Sequence, residues 1–188
     1  MHGVKSRESR EFKEPWGYEG SPWKNSVAFF TYLRGCLRKA WSTNPIKIKL
    51  LNKKRYQIPN PNPKGNRATV WGADCAMCGG TFPIKNIQVD HITPAGSLQE
   101  REDIQGFVER LLFITEDDLR LVCKGCNSAL AYADKHGISY EEAVAIKKAI
   151  EICKTKKDKE FLLEKGIEPE SNAAKRRKQI EKELLGNG

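Results

Sequence analysis

The sequence predicts an α+β fold, a small core of short strands stapled by cysteines and flanked by α-helices. Three observations carry that expectation. Helical periodicity frames the chain at Ser26–Trp41 and again after Ser139. A short β-prone stretch runs from Thr81 to Thr93. Two C-x2-C pairs, Cys75 with Cys78 and Cys123 with Cys126, bracket that stretch.

Residues 1–25 read as a flexible arm, polar and interrupted by Pro15, Gly17, Gly20 and Pro22. The stretch SVAFFTYLRGCLRKAW then sets Val27, Phe30, Leu33 and Leu37 near one face, with Arg34 and Arg38 on another, as an amphipathic helix requires. Asn44-Pro45 stops it. From Lys47 the chain is basic, then rich in Pro and Asn, and reads as a strand-like piece followed by a loop, so 26–70 is a basic helical and extended segment. The core spans 71–154. In it Thr81–Thr93 gives a strand ending at Asp90-His91-Ile92, and Asp103–Phe113 gives a short helix. Asn127–Lys135 is helical, and Ser139-Tyr140-Glu141-Glu142 is a capping box that opens a helix to about Lys154. Residues 155–188 form a charged tail with a surface helix over Asn172–Leu185.

The chain has 188 residues, 33 basic and 24 acidic, for a net charge of +9. With 30% charged residues and no long apolar run, a membrane protein is excluded by composition, and no secretory signal is visible, so an intracellular location is expected. Apolar residues recur in blocks and four Trp require burial, which argues against disorder. The charge is uneven: residues 1–74 carry +10, 75–128 carry −3, and 129–188 carry +2. Between Glu19 and Asp74 there are eleven bases and no acid. A solvated surface mixes signs, so this segment is expected to face a polyanion, double-stranded DNA first. The expected phosphate contacts are Arg34, Arg38, Lys39, Lys47, Lys49, Lys53, Lys54, Arg55 and Arg67.

An intracellular chain does not keep stable disulfides. Two C-x2-C pairs are instead the spacing of a structural Zn2+ site, each pair gripping the metal from a tight turn that Gly79-Gly80 and Gly125 permit. The 44 residues between the pairs imply an insertion. Cys36 and Cys153 lie in helical patterns and are expected to be buried as apolar packing.

Inside the insertion stands Val89-Asp90-His91-Ile92. An Asp beside a His at the end of a strand divides labour: the carboxylate coordinates a hard cation and the neutral imidazole takes a proton from water.

From about Trp71 to Lys154 the sequence resembles the HNH endonucleases, the ββα-metal (His-Me finger) family, and in particular its small phage-type members. The resemblance rests on WGADCAMCGG, QVDHITPAG and DDLRLVCKGCN. It implies a ββα-metal finger stapled by Zn2+ on Cys75, Cys78, Cys123 and Cys126. His91 would be the general base, and Asp90 a ligand of a catalytic Mg2+ or Mn2+. Asn127 falls where the family's final His ligand stands, and its carbonyl oxygen suits Mg2+. Asp118 falls where the family's middle Asn pins the loop around the catalytic His. An Asp accepts such hydrogen bonds but cannot donate them. The implied activity is hydrolysis of DNA phosphodiester bonds, by nicking or double-strand cleavage, as in phage homing-type nucleases. One such site cuts one strand, so a double-strand break takes two events or two sites, and a homodimer is one way to supply them. His136 is a helix-end residue before Gly137.

The competing expectation is a non-catalytic zinc-finger DNA-binding protein or a decayed nuclease, which accounts for the charge and the cysteines but leaves Asp90-His91 idle. A zinc module that assembles other proteins fits the acidic central segment and not the acid-free one.

Overall fold

A computed structural model describes residues 13–62, 64 and 66–186. The fold is α+β. Among the described residues are α1 (Ser26–Ser42), α2 (Pro45–Lys54), β1 (Tyr56–Pro59), β2 (Thr69–Asp74), β3 (Thr81–Pro83), β4 (Ile87–His91), α3 (Asp103–Leu112), β5 (Leu119–Cys123), α4 (Lys124–His136), α5 (Tyr140–Lys154), α6 (Asp158–Glu164) and α7 (Ala173–Gly186). Single 3-10 turns precede β4 and β5. Strands β1, β2 and β3 form one antiparallel sheet in that order, and β4 pairs with β5 in a second. No helix among the described residues is long and apolar enough to cross a membrane.

The chain divides into two units. One holds the described residues up to Lys53 together with His91–Arg120, and the other holds Lys54–Asp90 together with Leu121 onward. The chain therefore passes from one to the other at the Asp90–His91 peptide bond.

In the first unit, Asn25 caps α1 by accepting from the Ala28 N–H at 3.0 Å. Phe30 of α1 packs with Leu98 and with Phe107 and Leu111 of α3, and these four are buried. Trp16, Phe29, Leu33, Leu37 and Trp41 close over them. Trp16 lies 5.5 and 5.6 Å from the rings of Phe29 and Phe30, so the expected arm is folded back onto the core there. Positions 1–12 of that arm lie outside the described residues. Cys36 is exposed on α1, contrary to expectation, because the apolar stripe of the helix passes beside it.

The segment after Pro45 is also corrected: it is helical, not strand-like, up to Lys54. Asn44 and Pro45 end α1 and begin α2 at once. The Asn44 side chain accepts from the Ile46 N–H at 2.9 Å, and proline is tolerated at a first helical position. Among the described residues of that segment, Tyr56–Pro59 and the start of β2 at Thr69 are extended.

In the second unit, the turn from β2 to β3 carries the first cysteine pair, and the junction of β5 with α4 carries the second. Helices α4, α5, α6 and α7 pack together in the same unit. Ala129, Ala133 and Ala143 meet between α4 and α5, and Ala149, Leu162 and Ile180 between α5, α6 and α7. The expected capping box opens α5, with Ser139 and Glu142 exchanging hydrogen bonds at 2.8 and 3.1 Å. Gly137 ends α4 at a φ of 62°, a left-handed turn that glycine makes without strain. Helix α7 is not a mere surface helix, since Ile180 is fully buried. Cys153 packs against this cluster, half-buried where full burial was expected.

Candidate functional site

The four cysteines of the two pairs converge, with ligand atoms all within 4.8 Å of one another. A tetrahedral Zn2+ with Zn–S near 2.3 Å sets sulfurs about 3.8 Å apart, so the cluster fits such an ion after a small contraction. Local backbone builds it. Gly79, at a φ of 68°, lets its N–H return to the Cys75 carbonyl at 2.9 Å, while the Cys75 N–H bonds the Gly80 carbonyl at 2.9 Å. The Ala76 N–H reaches the Leu121 carbonyl at 2.8 Å, tying the first turn to β5. Backbone N–H groups also aim at sulfur, Cys123 N at Cys75 Sγ (3.2 Å) and Cys126 N at Cys123 Sγ (3.4 Å).

That donor field decides the thiol acidities. Burial alone would raise Cys75, but the backbone N–H groups of Cys123, Cys78 and Met77 outweigh it and hold the thiol down at about 6. Burial pushes Cys126 up to about 12, with the neighbouring thiols adding to the rise against a hydrogen bond from Tyr140. Without a cation, Cys75 ionises near neutral pH and Cys126 stays protonated. With one, four thiolates are favoured together. The cluster can hold a metal ion such as zinc.

His91 ends β4 and belongs to the first unit. Its Nε2 lies 3.1 Å from the Leu111 carbonyl oxygen, and its ring centroid is 4.2 Å from that of Trp41. A carbonyl only accepts, so this contact puts the hydrogen on Nε2 and leaves the lone pair on Nδ1. The imidazole lines a cavity of about 310 Å³ with Thr93, Glu109, Arg110, Phe113 and Asp118. A second cavity, of about 620 Å³, lies elsewhere and does not include His91. Asp118 anchors the loop here in two ways. Its backbone carbonyl accepts from the Ile92 N–H at 2.9 Å. Its carboxylate accepts from the Thr115 N–H at 2.7 Å and the Thr115 hydroxyl at 2.9 Å, a capping box. Those bonds, the backbone one first, hold the carboxyl below its usual range, and the nearby imidazole adds to the effect.

Asp90 is the residue before His91 on β4, and Asn127 follows Cys126 in the first turn of α4. Both are half-buried and both belong to the second unit. The sequence reading missed Arg110. Its Nε donates to the Ala95 carbonyl at 3.0 Å. A Cβ at Gly96 would sit 3.2 Å from its Nη2, and one at Gly106 would sit 3.0 Å from its Nη1. Two glycines thus make room for this guanidinium at the rim of the His91 cavity. Gly106 inside a helical pattern was the available signal, since glycine there costs helix stability and calls for a packing reason.

The expected phosphate contacts separate into groups. Arg38, Lys39, Lys54 and Arg67 are exposed, and Arg34 is half-exposed on α1. Lys47 sits 5.1 Å over Trp41, and burial lowers its pKa. Arg55 sits 4.6 Å over Trp71. Lys49 and Lys53 are paired instead, with the two oxygens of Glu116 at 2.9 and 2.8 Å. The acid-free stretch of sequence is therefore not acid-free in space. The basic run in α7 is engaged likewise. Arg176 holds Asp158 at 2.6 Å, Arg177 holds Glu181 at 3.0 Å, and Lys175 lies 3.7 Å from Glu170.

Compared with family models, with curated proteins and with solved structures, the chain matches none.

Proposed function

We propose that the chain is a metal-dependent endonuclease of the HNH type, which hydrolyses phosphodiester bonds of double-stranded DNA. The observation that carries this reading is the state of His91. The Leu111 carbonyl accepts from Nε2 and so leaves Nδ1 as the basic nitrogen, Trp41 lies against the ring, and the imidazole lines a cavity that Arg110 also lines. A neutral imidazole so held is a general base for water.

Asp90 and Asn127 offer a carboxylate and a carboxamide oxygen, a donor set that suits Mg2+ or Mn2+. Bound to them, such an ion supplies Lewis-acid polarisation of the phosphate and stabilises charge on the leaving oxygen. His91 Nδ1 takes the proton of the attacking water. Arg110 offers the phosphate a guanidinium whose orientation the Ala95 carbonyl sets. Asp118 keeps the loop after His91 in place through its carbonyl. The zinc cluster plays no part in the chemistry and staples β2, β3, β5 and α4 together. Arg34, Arg38, Lys39, Lys47, Lys54, Arg55 and Arg67 hold the DNA backbone, which positions the duplex without reading sequence.

A second reading is a zinc-bearing DNA-binding protein without cleavage, favoured by the engagement of the Asp118 carboxylate with Thr115. Supercoiled plasmid separates the two. Nicking with Mg2+ or Mn2+ supports the nuclease. A plasmid left supercoiled in Mg2+, Mn2+ and Ni2+ rejects it, and cleavage that then appears in Asp118→Asn marks a decayed nuclease.

A further inference from the structure

The cavity of about 620 Å³ lies wholly in the second unit and takes no part in the proposed cleavage. Its size is that of a small-molecule pocket. The β1–β2 hairpin forms one wall, where Trp71 stands opposite Gln57, and Pro83 and Ile84 form another. Trp71 is 43% exposed although it is the largest side chain on its sheet. Its ring is braced, because the Arg55 guanidinium lies 4.6 Å from the centroid. The rim is built as well. Asn60 donates through Nδ2 to the Arg67 carbonyl (2.8 Å), accepts the Asn62 N–H on Oδ1 (3.0 Å), and bonds the Ala68 carbonyl through its own N–H (2.9 Å). The lining side chains include Arg67 and Lys85 and no acid.

A flat apolar wall, a braced aromatic ring, an amide beside it and an uncompensated positive rim are what a nucleobase with its phosphate requires. We infer that this cavity takes an unpaired base of a DNA strand, stacked on Trp71, with Arg67 and Lys85 on the flanking phosphates. The inference rests on the nuclease reading for its choice of DNA. It adds that the protein prefers DNA with unpaired nucleotides, such as gaps, flaps or displaced strands, over a continuous duplex. A base inside a duplex presents its face to its neighbours, so only an unstacked one can use the ring.

The test is binding by fluorescence anisotropy without added divalent cation, using zinc-loaded full-length protein. The probes are labelled dT12, a blunt duplex of the same length, and a duplex with a four-nucleotide gap. Wild type should bind dT12 and the gapped duplex about tenfold or more tighter than the blunt duplex. Trp71→Ala should lose that preference, and Trp71→Phe should keep part of it, with circular dichroism and zinc content checking that both fold. Equal affinity of wild type for the three probes, or an undiminished preference in a folded Trp71→Ala, overturns the inference. If dAMP at millimolar concentration saturates Trp71 quenching while no strand preference exists, the cavity is a free-nucleotide site and the strand assignment falls. A strand preference in a protein that never cuts plasmid rejects the nuclease and keeps this site. Plasmid cleavage with no preference does the reverse.

Discussion

At the scale of single residues, His91 holds Leu111 and Trp41, and in the proposed nuclease it would also offer Nδ1 to water. His91→Ala should therefore lower plasmid nicking at least a hundredfold, the usual worth of a general base. It should also destabilise the fold by about 1–2 kcal/mol through the lost hydrogen bond and ring contact. Gel assays and thermal melts measure the two effects separately, and nicking within tenfold of wild type would remove His91 from the chemistry. Arg110 can be tested without touching it. Gly106 lies inside α3, so alanine there favours the helix by roughly 0.5–1 kcal/mol. The new Cβ would press on Nη1, the movable end of a long side chain. Gly106→Ala is thus expected to leave the melting temperature unchanged or higher while cleavage falls. Unaltered cleavage would mean that the orientation of Arg110 does not matter.

At the scale of elements, the hairpin and the cysteine cluster carry different loads. A Cβ at Gly72 would stand 2.4 Å from Cδ1 of Ile58 and within 2.9 Å of its other branch, and Ile58 is buried. Gly72→Ala should cost about 1–3 kcal/mol by overpacking, and the double variant with Ile58→Val should recover part of it in urea unfolding. Additive losses in the double variant would show that the clash is not the cause. Cys123 caps α4 through sulfur as well as facing the cluster. Serine is a good cap but a poor zinc ligand, so Cys123→Ser preserves the first duty and removes the second. One zinc per wild-type chain is expected by metal analysis, with a large drop in melting temperature for Cys123→Ser. A metal-free preparation as stable as the loaded one would contradict this. Cys36, exposed on α1, and Cys153, beside the α5–α7 cluster, should be replaceable without loss of zinc.

For the whole molecule, Glu116 couples acid stability to the positive field that the proposed DNA contact would use. Hydrogen bonds from Lys53 and then Lys49 hold its carboxyl down at about 2. A folded value below the unfolded one means that the pair stabilises fully above the ordinary glutamate range, and that this is lost as pH falls through about 2. Glu116→Gln should flatten the acid limb of a stability-against-pH curve between about pH 4.5 and 2. The same change frees two lysines, so duplex affinity at neutral pH should rise and its salt dependence should steepen. Weaker or unaltered binding would place Lys49 and Lys53 away from the DNA.

The sequence by itself determined those features that rest on short spacing. The cysteine pairs, the α5 capping box, the periodicity of α1 and the strand-ending Asp90-His91 involve residues within a few positions of one another, where backbone geometry alone sets what can meet. It also announced an α+β chain with a basic N-terminal half. Asn44-Pro45 could be read as a stop but not as a start, because a cap is recognised only once the turns beyond it are known to be helical. Tertiary structure alone decided the rest. It brought Glu116 onto Lys49 and Lys53, 63 positions away in the latter pair. It drew Trp16 into the core, led Arg110 between two glycines, and left Trp71 open under Arg55. Those contacts depend on which faces bury apolar surface together. That is a property of the packed chain, and no local window of sequence contains it.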